Sequence, residues 1–74
     1  MEFDLYLSDS GGYVVEVKSH AKSGDVMPLL QKELFAQKKI GEPLGAVIIA
    51  SSAGRVARKK CKKVGVDLLT RSIA

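Results

Sequence analysis

The chain has 74 residues and a formal net charge of +4, from 12 lysines and arginines against 8 acidic residues. This length allows one domain, and so small a domain buries only about 60% of its unfolded surface, so a partner would help to stabilise it. The single cysteine, Cys61, excludes disulfides and a zinc cluster and fits a reducing compartment. Neither a signal peptide nor an apolar run long enough to span a bilayer is visible, so we expect a soluble cytoplasmic protein without membrane contact.

The first two predicted elements form a β-hairpin. Residues 3–8 alternate apolar with polar side chains, and residues 9–12 (DSGG) have the composition of a turn. Residues 13–19 (YVVEVKS) form the second strand, in which Glu16 and Lys18 alternate with valines. Charges within such an apolar strand cost several kcal/mol to desolvate unless they are paired or bind a metal.

The register of this hairpin decides which charged residues meet. Pairings that keep apolar side chains together place Asp4 opposite Glu16 or Lys18, whereas a one-residue slip would move Asp4 to the other face. We therefore expect Asp4, Glu16 and Lys18 to cluster on one side of the hairpin. Glu2 and His20 share the same parity at its end, and His20 is expected in the polar loop that follows.

A first helix is predicted from about Asp25 to residue 40. Pro28 suits a first helical turn, and Gly41 is a typical residue to end a helix. The inward face of this helix is predicted from the spacing of its apolar residues. It comprises Met27, Leu30 and Leu34, extended by Leu29 and by Phe35 as a core residue.

The second half of the chain predicts a strand, a helix and a strand. The apolar run Leu44–Ser51 is typical of a buried parallel strand. Residues 53–64 form a basic helix that ends at Gly65, and residues 66–70 form the last strand. The inward stripe of the basic helix is predicted to be Ala53, Val56, Ala57, Cys61 and Val64.

These elements predict an α/β fold in the order β-β-α-β-α-β. A hairpin followed by two right-handed crossovers gives a mixed four-stranded sheet with flanking helices. We expect residues 1–74 to form a single domain.

The clustered charges of the hairpin suit phosphodiester hydrolysis. Carboxylates of Asp4 and Glu16 are ligands that Mg²⁺ prefers, and the carbonyl of Val17 could add another. The cation would activate a water molecule, and Lys18 would stabilise the developing negative charge. The alternative is a solvent-exposed face with an ordinary cross-strand ion pair.

At these residues the chain resembles the PD-(D/E)xK nuclease superfamily, which has the restriction-endonuclease-like fold. Asp4 and Glu16-Val17-Lys18 match its motif, and residues 31–35 (QKELF) resemble the Gln-x-x-x-Tyr element of the RecB-like branch, with Phe35 in place of Tyr. The likeness is greatest to small archaeal members that read VEVKS. It implies a nuclease dependent on Mg²⁺ or Mn²⁺ that acts on DNA more than RNA, with Asp4, Glu16, Lys18 and Gln31 as catalytic residues.

The chain departs from this superfamily at its start. The superfamily core usually has a helix before the Asp strand, so we expect a minimal or truncated domain with one poorly covered sheet face. A second copy of the chain would cover that face, and we expect a homodimer.

The basic helix is the predicted contact to nucleic acid. Its cations occupy nearly every position outside the inward stripe, and the residues expected to contact phosphates are Arg55, Arg58, Lys59 and Lys62. Such a run can also be a solvated helix face. The alternative function is therefore an inactive module that binds nucleic acid or another protein and retains the nuclease fold.

Overall fold

The computed structural model describes residues 4–8 and 11–71; the side chains of Asp4 and Ser8 lie outside that description. The strands are β1 (Asp4–Ser8), β2 (Gly11–Ala21), β3 (Leu44–Ala53) and β4 (Asp67–Thr70), and the helices are α1 (Val26–Ile40) and α2 (Arg55–Val64). Their order along the chain is the predicted one. Glu2, Phe3 and the turn residues Asp9 and Ser10, which the sequence analysis also used, lie outside the described residues.

The four strands form one mixed sheet in the order β1-β2-β3-β4. Strand β1 is antiparallel to β2, whereas β2 with β3 and β3 with β4 are parallel pairs. The two helices are the crossovers between the parallel strands, as such connections require. The predicted α/β fold is confirmed.

The register of the hairpin differs from the prediction. Asp4 pairs with Val15, so its position alternates with those of Glu16 and Lys18 instead of lying opposite one of them. The pair Ser8 and Gly11 closes the hairpin across only two residues, and so short a connection fixes the register. Apolar alternation could not select the register, because this pairing also sets Leu5 against Val14 and Tyr6 against Tyr13.

Both helices pack on the same face of the sheet. Val14 and Ile48, on neighbouring strands, are fully buried together with Leu29 of α1, and Cys61 of α2 joins the same cluster. Full burial of such a side chain stabilises the fold by about 1.5–3 kcal/mol. The other buried members of this cluster are Ala21, Val26, Ala36, Ala46, Ala50 and Val66.

The opposite face of the sheet, which we call the open face, carries apolar side chains without a helix over them. Val17, between the two charged residues of β2, is 62% exposed, and Ile49 and Leu69 on the next strands are also exposed. The open face is therefore apolar and largely exposed in the described part of the chain, although Val47 at its centre is only 9% exposed. Its members are Tyr6, Tyr13, Val15, Val17, Val47, Ile49 and Leu69.

Glycines end both helices as predicted. Gly41 after α1 and Gly65 after α2 have φ angles of 80° and 82°, a conformation that side-chain-bearing residues adopt at a steric cost. The amide of Leu44 donates a hydrogen bond of 3.1 Å to Oε1 of Gln37, which joins the end of α1 to the start of β3.

The predicted inward faces of the helices are partly wrong. In α1, Met27, Leu34 and Phe35 are exposed, whereas Val26 and Ala36 are buried beside Leu29. The small side chain of Ala36 takes the inward position, which turns the neighbouring Phe35 outward, where Nζ of Lys39 lies 5.8 Å from its ring centroid. The helix has apolar residues around most of its circumference, so their spacing alone does not fix which side faces the sheet.

Helix α2 also differs from the prediction in its first turn. Ala53 is the last residue of β3 and not part of the helix, whose N-terminal boundary is Gly54. Ala57 and Cys61 are buried as predicted, but Val56 is 65% exposed and Val64 is also exposed. Only a narrow stripe of α2 therefore packs inward. None of the described helices is long and apolar enough to cross a membrane.

Candidate active site

Glu16 lies on the helix-covered side of β2 and forms an ion pair with a lysine of α1. Nζ of Lys32 donates a hydrogen bond of 2.9 Å to Oε1 of Glu16, and both side chains are partly buried. A pair in such a setting stabilises the fold by at most about 1 kcal/mol. The carboxylate is thus neutralised by a nearby cation that a ligand of higher charge can displace.

Lys18 lies two residues further along the same side of β2. Its Nζ is 3.6 Å from Oδ1 of Asp25, and the lysine is the more exposed partner of the two. The other oxygen of Asp25, Oδ2, accepts a hydrogen bond of 2.8 Å from the amide of Lys22 and so closes the single 3-10 turn before α1. Asp25 therefore both caps this turn and holds the ammonium group of Lys18.

Glu16 and Lys18 are two residues apart on one side of β2, so their Cα atoms are about 7 Å apart along the strand. The acid can bind a cation and the amine can bind an anion, which are the two functions that a phosphodiester-cleaving site needs. Each group is paired in the structure, Glu16 with Lys32 and Lys18 with Asp25. A substrate or metal that bound to these groups would thus have to displace Lys32 or Asp25.

The donor groups at this site meet the requirements of Mg²⁺. Among the residues that the structure describes, no group of three or more His, Cys, Asp or Glu side chains is placed to hold a metal ion. Mg²⁺ does not require such a group, because it binds through one or two carboxylates and completes its shell with water and phosphate oxygens. The hard oxygens of Glu16 fit this cation.

The register position of Asp4 is not the one that the sequence analysis expected, whereas Gln31 lies on α1 as predicted. Asp4 pairs with Val15, and its side chain lies outside the described part of the molecule. Gln31 is exposed on α1, and the helix residue that contacts Glu16 is its neighbour Lys32. No sequence motif identified Lys32. Its place next to Gln31, on the helix predicted to cover β2, could have indicated that it lies near Glu16.

His20 belongs to β2 and not to a loop, which corrects the sequence interpretation. Its Nδ1 lies 2.8 Å from Oγ of Ser52, on the neighbouring strand β3, at hydrogen-bond distance. His20 is on the same side of β2 as Glu16 and Lys18, so three polar residues follow one another along that side. The register pair of His20 with Ser52 explains the contact.

The cations of α2 are on its solvent side. The spacing of Arg55, Arg58, Lys59 and Lys62 puts them on one helix face, and all four are exposed. The buried residues Ala57 and Cys61 lie on the opposite face. The helix therefore presents a stripe of four cations, which we call the basic stripe.

Two groups among the described residues have a pKa that burial changes. Burial raises the pKa of the Cys61 thiol above its usual value, so the thiol remains protonated and is a poor nucleophile at neutral pH. Burial also raises the pKa of the Glu33 carboxyl. Neither is one of the two paired groups on β2, so this effect does not mark the candidate site.

The comparison with known families identifies the chain. The model of one family, described as the PD-(D/E)XK nuclease superfamily, matches residues 1–68, which include the hairpin, both helices and β3. No curated protein and no solved structure matches the chain significantly. Because the family match covers nearly the whole chain and contains the pair Glu16 and Lys18, the chain belongs to the PD-(D/E)XK nuclease superfamily.

Proposed function

We propose that the protein is a nuclease that hydrolyses phosphodiester bonds of DNA with Mg²⁺ or Mn²⁺. Membership of a nuclease superfamily implies binding of nucleic acid, and such nucleases typically use divalent metals. The observation that carries the proposal is the placement of Glu16 and Lys18 on one side of β2, where α1 begins.

The metal ligands in this proposal are the carboxylates of Glu16 and Asp4 and the carbonyl of Val17. When bound, the cation would act as a Lewis acid on a phosphate oxygen and would lower the pKa of a water molecule. Glu16 provides one carboxylate for it once Lys32 is displaced, and the weakness of that partly exposed ion pair favours displacement.

A metal-binding role for Asp4 requires a change in the hairpin. Because Asp4 pairs with Val15 and not with Glu16, its role as a ligand requires the start of edge strand β1 to turn towards Glu16. An edge strand has one neighbour only, so such a movement breaks few hydrogen bonds. Asp4→Asn should weaken metal binding, and unchanged binding would remove Asp4 from the site without affecting the assignment of Glu16.

Lys18 is the proposed catalytic lysine. Its ammonium, released from Asp25, would donate hydrogen bonds to a phosphate oxygen as negative charge develops there. The 3.6 Å separation from Asp25 is longer than that of the Glu16–Lys32 pair, which favours this release. Gln31, exposed on α1, is proposed to position the substrate from the side of the helix.

The basic stripe of α2 is the proposed contact to the DNA backbone. Four phosphate contacts would give a slope of about −3.6 in a plot of log affinity against log salt concentration. Reversing the charges of Arg55, Arg58, Lys59 and Lys62 should abolish binding at moderate salt. Binding that persists after this change would place the DNA contact elsewhere.

A second candidate function is a binding module without catalysis. It is favoured by the ion pairs that already engage both Glu16 and Lys18. Such a module would bind nucleic acid through the basic stripe without any metal. We also propose that either form of the protein works as a homodimer.

Nicking of supercoiled plasmid DNA separates the two functions. The proposal expects nicking with Mg²⁺ or Mn²⁺ that EDTA stops, and a loss of at least about 100-fold in Lys18→Ala and Glu16→Gln. Lys38→Ala, an exposed lysine at the far end of α1, is the matched control and should retain full activity. Cleavage that survives Lys18→Ala would contradict the assignment, and binding without cleavage by the wild type would select the second candidate. Parallel assays on RNA decide the substrate.

A further inference from the structure

The apolar side chains of the open face are arranged in rows that run across the strands. Val17, Ile49 and Leu69 are direct neighbours across β2, β3 and β4, so they form one continuous apolar row. Val15 and Val47 form a second row, which ends in Asp67 on β4. The face is thus a continuous surface of adjacent side chains.

A third row is formed by aromatic side chains. Tyr6 pairs with Tyr13, and Tyr13 is in register with Gly45 on β3. The ring of Tyr13 lies over Gly45, since a methyl group at that glycine would come within 2.7 Å of the ring. The ring therefore rests against the backbone of the neighbouring strand, and its position is set before any partner binds.

We propose that the open face is the interface of a homodimer, in which a second copy packs its own open face against the first. This inference does not depend on nuclease activity. Four adjacent members, Val17, Ile49, Leu69 and Tyr13, are 62%, 42%, 57% and 43% exposed, and contiguous apolar patches of this kind on single proteins often mark interaction sites. Stable interfaces bury about 1,200 Å² or more in total, and Tyr6 and the rim add to the area that two copies would bury.

The distribution of charge favours a second copy as the occupant. The chain carries +4, so contact through its basic side would be repulsive. The basic stripe lies on α2, on the other side of the sheet, so packing through open faces separates the two helices by roughly 30 Å, which is three layer spacings of about 10 Å each. That distance is several times the Debye length of about 8 Å, so repulsion is screened.

The rim of the open face is self-complementary. Asp67 begins β4 and Arg71 follows its last residue, so opposite charges lie at the two ends of one edge strand. Each borders a shallow depression that also contains Leu69. Under a two-fold axis with the two β4 strands antiparallel, Asp67 of one copy approaches Arg71 of the other, and the contact occurs twice.

This arrangement leaves Glu16 accessible. Glu16 and its partner Lys32 lie on the helix-covered side of the sheet, opposite the proposed interface. Lys18 also lines the depression beside Arg71, so it lies at the edge of the interface, and the register position of Asp4, opposite Val15, belongs to the open face. Dimerisation therefore places the two Glu16 side chains and the two basic stripes on the outer surfaces of the assembly.

Sedimentation of the full chain over a wide concentration range tests the interface. Leu69→Glu, on the open face, should raise the dimer dissociation constant at least about tenfold. Leu34→Glu on α1 is the matched control, since the two leucines are 57% and 58% exposed, and it should leave the constant unchanged. Circular dichroism should report folded protein for both, because both positions face solvent.

Several results of these measurements would overturn the proposed interface. A wild-type monomer at the highest concentration would overturn the proposal, as would a dimer that both glutamate variants weaken equally or that neither weakens. Asp67→Arg and Arg71→Asp should each weaken the dimer, and the double reversal should restore it. A double variant no stronger than the singles would overturn the antiparallel arrangement of β4.

Discussion

Nζ of Lys32 lies 2.9 Å from Oε1 of Glu16, so a lysine of α1 occupies one oxygen of the carboxylate on which metal binding would depend. The two cations compete for one acid: an ammonium that the fold supplies and a divalent ion from solution. The fold holds the ammonium group next to the carboxylate, whereas the divalent ion attracts the carboxylate more strongly because its charge is higher. In the proposed site, Lys32 would therefore set the metal concentration at which the site fills.

The first prediction concerns this competition. Lys32→Gln should increase the affinity for Mn²⁺ about two- to fivefold, since the ion pair that it removes contributes at most about 1 kcal/mol. Titration calorimetry or electron paramagnetic resonance of free Mn²⁺ measures the affinity directly. Lys38→Gln on the same helix controls for the change in net charge.

Two results would contradict this prediction. An equal gain in both variants would show a general effect of charge, and weaker binding in Lys32→Gln would mean that Lys32 orients the carboxylate for the metal.

The second prediction concerns Asp25, which accepts the amide hydrogen bond of Lys22 and pairs with Lys18. Asp25→Ala removes both contacts and should cost about 1 kcal/mol, as other losses of a helix cap do. Asp25→Asn retains an acceptor oxygen for the amide and should cost only about 0.3 kcal/mol. Urea unfolding of the three proteins checks the order, and equal losses in both variants would assign the stability to the ion pair.

The third prediction concerns Glu33 and pH. Burial raises the pKa of this carboxyl above its usual 4.5, so its contribution favours the folded state below that pH and is lost as the pH rises through the raised pKa. Glu33→Gln should therefore be more stable than the wild type at pH 7, by about 0.5 kcal/mol, with the difference vanishing near pH 4. Urea unfolding midpoints at both pH values measure this.

A control for that prediction is Glu42→Gln, since Glu42 is exposed in the turn after α1. It should not stabilise the protein at pH 7. A stabilisation by Glu33→Gln that is the same at pH 4 and pH 7 would contradict the role of burial.

The fourth prediction concerns Cys61, which is 2% exposed in the core cluster. Because burial both blocks access and raises the pKa of its thiol, iodoacetamide should react much more slowly with the folded chain than with the chain in urea. Mass spectrometry over time gives both rates. Equal rates would show that α2 opens readily from the sheet.

The order of elements could be predicted because each boundary has a local chemical cause. Gly41 and Gly65 have the positive φ angles that end helices, and Pro28 lies within the first turn of α1. The apolar run from Leu44 onwards is a strand between two others. Such signals depend on a few neighbouring residues, and they do not need the tertiary structure.

The rotation of α1 could not be predicted. Its apolar residues surround most of the helix, and the contact with the sheet is made where small Ala36 allows close approach. Phe35 and Leu34 are therefore exposed although they are more hydrophobic. The sheet, like α1, carries apolar residues on both sides. Apolar alternation therefore did not fix the register of the hairpin, and the predicted position of Asp4 was wrong.

The candidate site was partly predictable. The alternation in YVVEVKS placed Glu16 and Lys18 on one side of β2, as the structure has them. Their partners Lys32 and Asp25 come from other segments, so their contacts depend on how α1 crosses the sheet. Spacing within one strand contains no information about such pairs.

Anomalous scattering from crystals soaked in Mn²⁺ shows whether Glu16 is a metal ligand. We expect a manganese peak about 2.0–2.2 Å from a carboxylate oxygen of Glu16, with Nζ of Lys32 moved away from it. Crystals of Glu16→Gln should lack the peak. If Glu16 remains paired with Lys32 while manganese binds elsewhere or not at all, Glu16 is not a metal ligand.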